Sequence, residues 1–156
     1  MSLPRRTHQR WREGDFVKIA IGDGRTCCGR VLEDPLMAFY DFCGTDISDL
    51  AKLLDSKILF KVWVKKLAIT NGLWPIIGNV PLSPELREPQ LFYKQDAISK
   101  ELTIYGGGKE VAATREECRV LERAAVWDPE HIVDRLRDHF DGRSNKWVES
   151  MNARLG

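Results

Sequence analysis

A surplus of charge, a long apolar run and a paired-cysteine motif are all missing from this chain of 156 residues. Lysine and arginine number 24 against 23 aspartate and glutamate, a net charge of +1, so nothing draws the chain as a whole to nucleic acid or an anionic membrane. No apolar stretch approaches the roughly 18 to 20 residues of a membrane span. The four cysteines, Cys27, Cys28, Cys43 and Cys118, lack the C-x-x-C spacing of a zinc or thioredoxin-like site. They read as reduced, packed thiols, which implies the cytoplasm, with a redox role for the vicinal pair Cys27 and Cys28 as the alternative. The first dozen residues carry four arginines and no apolar h-region, so they read as a flexible basic tail (1–12) rather than a secretory signal.

Reaction signatures are missing too. There is no G-x-S-x-G elbow, no G-x-G-x-x-G after a strand and no H-E-x-x-H pair. His131 and His139 would stand about 12 Å apart along a helix, too far to share one metal ion. Gly106-Gly107-Gly108-Lys109 lacks the flanking glycine and hydroxyl of a phosphate loop and reads as a hairpin turn. No metal, no cofactor and no catalytic residue is expected. An enzyme built from dispersed residues is only a third reading.

What is present is β-structure followed by helix. From Gly14 to Asp41 three strands succeed one another: Val17, Ile19 and Ile21 alternate with polar or small residues, Gly22-Asp23-Gly24-Arg25 supplies a tight reversal, and Pro35 stops the second strand. Leu36 to Phe42 is apolar on both parities, which predicts a strand covered on both faces. A short helix is expected over 47–54, then the clearest strand over 58–70, with a parity change after Lys66. Asn71-Gly72 predicts a hairpin and a returning strand over 73–80, interrupted by Pro75 and so suited to an edge. After a proline-rich loop over 81–90, short strands are expected at 91–94 and 102–105.

From Thr114 the pattern turns helical. Thr114 with Glu117 forms a capping box for a helix to about Val126, and Asp128-Pro129 opens another that ends near Phe140. A last helical turn carries Trp147. Residues 13–156 thus read as a single domain. Its predicted fold class is α+β: a mainly antiparallel bent sheet, or partly open β-barrel, of about six to eight strands covered by C-terminal helices.

Two surfaces are candidates for binding. On the second helix Ile132, Val133, Leu136 and Phe140 form an apolar stripe, and Glu130, Asp134, Asp138 and Asp141 lie nearly opposite. This acidic ridge is either a solvated face or a docking surface for a basic partner. Trp63, flanked by Lys61 and Lys65, is either packing beneath a C-terminal helix or a platform on which a base stacks while lysines hold phosphates.

Five stretches carry a family resemblance: GDFVKIAIGDGR (14–25), GRVLEDPLMAFYD (29–41), LFKVWV (59–64), LWPIIGNVPL (73–82) and the C-terminal block 113–150. In these the chain resembles immunity protein family 26, whose members accompany bacterial polymorphic toxins. Thr26-Cys27-Cys28 stands where an aromatic-containing segment is expected. The resemblance implies a cytosolic protein that binds a cognate toxin, often a nuclease, and blocks it stoichiometrically; it transfers no catalytic residue. The alternative is a nucleic-acid-binding β-barrel module using Lys61, Trp63 and Lys65.

Overall fold

A computed structural model describes residues 8–47 and 49–152. Strands β1 (Asp15–Gly22), β2 (Arg25–Val31) and β3 (Leu36–Gly44) form the expected antiparallel meander. The β1–β2 reversal is a two-residue turn with Asp23 at φ 56° and Gly24 at φ 72°, the left-handed pair that matches the twist of a hairpin. Helix α1 (Leu50–Leu54) is capped by Asp49, whose carboxylate accepts from the Ala51 and Lys52 amides. Strand β4 (Ile58–Val64) then pairs with β3.

The strand expected over 58–70 stops at Val64. Leu67–Thr70 is a short helix, α2, which buries the adjacent residues Ala68 and Ile69 and leaves Leu67 exposed. The parity change after Lys66 therefore marks a change of secondary structure, not a bulge. Gly72 ends the helix at φ 71° and donates to the Ile69 carbonyl at 3.0 Å, so Asn71-Gly72 is a helix stop instead of a hairpin. The chain crosses the molecule and adds β5 (Ile76–Asn79) beside β1, at the sheet edge expected for a segment containing Pro75. Residues 8–12, expected in the tail, are docked. The Gln9 amide donates to the Ile69 and Trp74 carbonyls and accepts from the Ile76 amide, and the Trp11 indole donates to the Leu32 carbonyl.

Within the 81–90 segment lies a single turn of helix, α3 (Pro84–Arg87). A second sheet follows from β6 (Phe92–Gln95), β7 (Leu102–Gly106) and β8 (Lys109–Ala112), with Gly107-Gly108 as another two-residue turn at positive φ. The capping box at Thr114 forms, but its helix α4 (Arg115–Arg119) is only five residues long. The rest of the predicted helix extends to both sheets: β9 (Glu122–Arg123) pairs parallel with β6, and β10 (Val126–Trp127) pairs parallel with β4. Backbone pairing at two open edges outweighs the local helical preference.

The result is α+β and mainly antiparallel, as the sequence predicts, but in two sheets not closed into a barrel, ordered β10-β4-β3-β2-β1-β5 and β8-β7-β6-β9. One face of the large sheet packs under α5 (Pro129–Phe140) through fully buried Ile132 and Leu136, each contributing about 1.5–3 kcal/mol by burial, while α6 (Lys146–Met151) adds half-buried Trp147, Val148 and Met151 to the same core. The other face carries Phe16, Cys28 and Tyr40 beneath α1, and Leu36 and Ala38 beneath Leu82 and Phe92. Strand β3 is thus covered on both faces, as its pattern predicts.

Candidate functional site

The second face of the large sheet is only partly covered, and there the two sheets part. Trp63 projects from β4 onto the small sheet, its ring 4.4 Å from that of Phe92 and 6.0 Å, edge-on, from Tyr105. Phe92 and Tyr105 are cross-strand partners, so β6 and β7 present them on the same side. A cleft of about 380 Å³ opens beside these rings, bounded by the 33–36 turn, the end of α3 and the glycine turn 106–108.

Charge around the cleft is mainly negative: Glu33, Asp34 and Glu88 against Arg87. Asp34 is neutralised by Lys66 at 2.7 Å, and Arg87 faces Glu13 at 3.6 Å. Glu33 and Glu88 are exposed and have no side-chain partner among the described residues. Tyr105 already holds one cation, Lys94, 4.4 Å over its ring. Aromatic faces beside unpaired carboxylates suit a lysine or arginine brought by a partner. Glu33, Glu88 and Tyr105 were not singled out in the sequence as binding residues. The Glu33-Asp34-Pro35 and tri-glycine turns are legible, but their approach is a long-range fact.

The trio Lys61, Trp63 and Lys65 is dispersed. Lys65 is ion-paired with Asp128 at 2.5 Å, which holds the Asp128 carboxyl below its ordinary range, and the Trp63 ring is packed against the small sheet, not a C-terminal helix. Lys61 alone has no ion-pair partner among the described residues. An indole already covered by Phe92 offers no open stacking platform of the kind single-stranded nucleic acid uses.

On the acidic ridge of α5, three carboxylates make intramolecular bonds. Asp134 accepts from the Trp147 indole at 3.0 Å and lies 3.4 Å from Arg137. Asp138 accepts from Asn145 at 2.9 Å, and Asn145 in turn caps α6 by accepting from the Trp147 and Val148 amides. Asp141 meets Arg25 at 2.7 Å and Arg143 at 3.0 Å; its hydrogen bond to Arg25 keeps its carboxyl below the usual range. Glu130 is exposed and without a partner among the described residues. Two of the four, Asp134 and Asp138, therefore attach α6 to α5, an attachment completed by His131 stacked on Trp147 at 3.6 Å.

All four cysteines are free thiols. Cys27 and Cys28 project from β2 into opposite cores, which no vicinal disulfide could bridge in this strand, and burial pushes both thiols up to about 12. Among the described residues no cluster of histidine, cysteine and carboxylate side chains could hold a metal ion. No described helix is long and apolar enough to cross a membrane.

Fold and surface together define an α+β module of two mainly antiparallel sheets with an aromatic, carboxylate-rimmed cleft. The family model of Immunity protein 26 matches residues 12–103, more than half of the chain, and the chain belongs to that family. The match spans β1 to the start of β7, which includes Trp63, Phe92 and the 33–36 turn of the aromatic cleft but stops short of Tyr105 and the glycine turn 106–108. No curated protein and no solved structure matches.

Proposed function

We propose that this chain is a cytoplasmic immunity protein that neutralises a cognate bacterial toxin by binding it directly, without catalysis. Membership of the Immunity protein 26 family carries this reading. The toxin is proposed to present a basic surface, as a nuclease does where it holds nucleic acid. The docking face is centred on the cleft, where Tyr105 offers an aromatic edge and Glu33 and Glu88 offer carboxylates not neutralised among the described residues. A stable inhibitory complex buries roughly 1,600 Å² in all, so the face extends beyond the cleft to its rim. The ridge on α5 contributes through Glu130 if the interface reaches that side.

The test is co-expression with the toxin-like product encoded beside this chain, scored by growth rescue and by co-elution on a sizing column. Rescue with a stable complex supports the proposal. A toxic partner that is neither relieved nor bound by a folded protein removes it.

A further inference from the structure

Arg30, on β2, is 2% exposed, and among the described residues it has no carboxylate partner. One terminal nitrogen reaches the Tyr40 hydroxyl at 3.4 Å; the other donates to the carbonyls of Val80 and Pro81 at 2.5 and 3.3 Å. Nε has no partner. The face of Phe16, 4.6 Å from the guanidinium carbon, and the two carbonyls offset part of the charge, but a buried cation ordinarily has an anion beside it. Tyr40 accepts from Arg30, and its own proton has no acceptor among the described residues. Burial pushes this phenol up, so the proton is retained as a donor.

Arg30 and Tyr40 line a second cavity, of about 520 Å³, between the large sheet, the end of α1 and the 80–86 segment. Its walls are largely apolar, with Leu54, Ile58, Val80 and Leu86 facing the two donors. At the rim Glu85 is exposed and hydrogen-bonded to Ser83, which keeps its carboxyl below the ordinary range; it is not the counterion of Arg30. The volume lies within the roughly 300–1,000 Å³ of small-molecule sites, which pair apolar walls with a few convergent polar groups. One guanidinium and one hydroxyl suit a planar monoanion rather than a phosphate dianion.

We propose that this cavity binds a small amphipathic carboxylate, its acid group on Arg30 and Tyr40 and its apolar body against Leu54, Ile58 and Leu86. An acidic side chain of a partner protein is the weaker fit, because the donors lie at the floor of a cavity far larger than a carboxymethyl group needs. The site stands apart from the toxin-binding reading, and either can fail alone.

Titration calorimetry of the full chain with octanoate, and with octanol as the uncharged chain of equal length, tests the site. Saturable octanoate binding is expected, roughly tenfold or more tighter than octanol, the difference a charge-assisted hydrogen bond confers. Tyr40→Phe, which keeps the ring, should weaken octanoate about threefold to tenfold and leave octanol binding in place, with a lower Tm because Arg30 loses an acceptor. Leu54→Trp at the 42%-exposed rim should block both ligands. Equal affinity for octanoate and octanol would mean a plain apolar crevice, and absence of saturable heat would mean no site; either overturns the proposal. A short aspartate-bearing peptide that binds where octanoate does not would transfer the site to a protein partner and overturn it as well.

Discussion

Removing Arg135 should loosen the junction of the two sheets. This side chain of α5 is 12% exposed and forms a two-pronged bond to Glu122 of β9, at 2.7 and 3.0 Å. Its guanidinium lies 3.6 Å over Phe60 of β4 and 5.1 Å from the Trp127 ring of β10, so one residue contacts the helix layer and both sheets. An exposed ion pair is worth about 0–1 kcal/mol, but a paired, charge-assisted bond next to a core is worth about 1.5–3 kcal/mol, and an arginine stacked on a ring adds roughly 0.5–2 kcal/mol. Discounting for the 29% exposure of Glu122, Arg135→Ala should cost about 2–4 kcal/mol, which for a chain of this size lowers Tm by roughly 5–15 °C. Urea unfolding monitored by tryptophan fluorescence measures it, with Glu122→Gln and the double variant completing a cycle; a coupling of about 1 kcal/mol or more is expected. A loss under about 0.5 kcal/mol, the size of an ordinary surface substitution, would refute the reasoning.

Other consequences follow from the same contacts. Asp134→Ala leaves the Trp147 indole without its acceptor and should release α6, seen as faster proteolysis after Gly142 at a cost of about 1–3 kcal/mol; an unchanged digestion pattern would contradict this attachment. Reversing Asp134 and Asp138 together should therefore perturb α6 as well as surface charge, which makes Glu130→Lys the cleaner probe of the ridge. Cys27 and Cys28, pushed up to about 12 in the folded state from an ordinary value of 9.0, hold protons that the unfolded chain releases sooner. Their contribution to stability is complete below about pH 9 and falls between about pH 9 and 12, and native-state alkylation at pH 8 should leave both unmodified; rapid modification without unfolding would show that they are not buried. Oligonucleotide titrations at low salt should be flat, since Trp63 is covered and Lys65 paired; saturable binding reduced by Trp63→Ala would restore the nucleic-acid alternative.

Local chemistry made much of this fold legible. The Asp23-Gly24 turn, the Thr114–Glu117 box and the Asp128-Pro129 start each act within four residues, and each stands where its sequence predicts. What sequence could not supply was pairing between distant segments. Val126 and Trp127 look helical in isolation, and only the open edge of β4 makes them a strand. Leu67 and Ile69 suggest a strand that changes its covered face, whereas burial of the adjacent Ala68 and Ile69 requires a turn of helix. Helical periodicity puts Glu130, Asp134 and Asp138 on one side of α5, but it does not reveal that Asn145 and Trp147 fold back onto them. Arg30 sits one strand from Phe16 and reads as an ordinary polar alternation; its burial depends on Val80 and Pro81, fifty and fifty-one residues away.

The most direct measurement is the affinity of the co-expressed toxin for the wild-type chain, the Glu33→Lys/Glu88→Lys variant and Glu130→Lys, each confirmed folded by its melting curve. Docking at the cleft predicts that the double reversal weakens binding about tenfold or more and abolishes growth rescue, since neither glutamate has a side-chain partner among the described residues to lose. Wild-type affinity in the double variant, above all with a loss confined to Glu130→Lys, would contradict docking at the cleft and place the interface on α5.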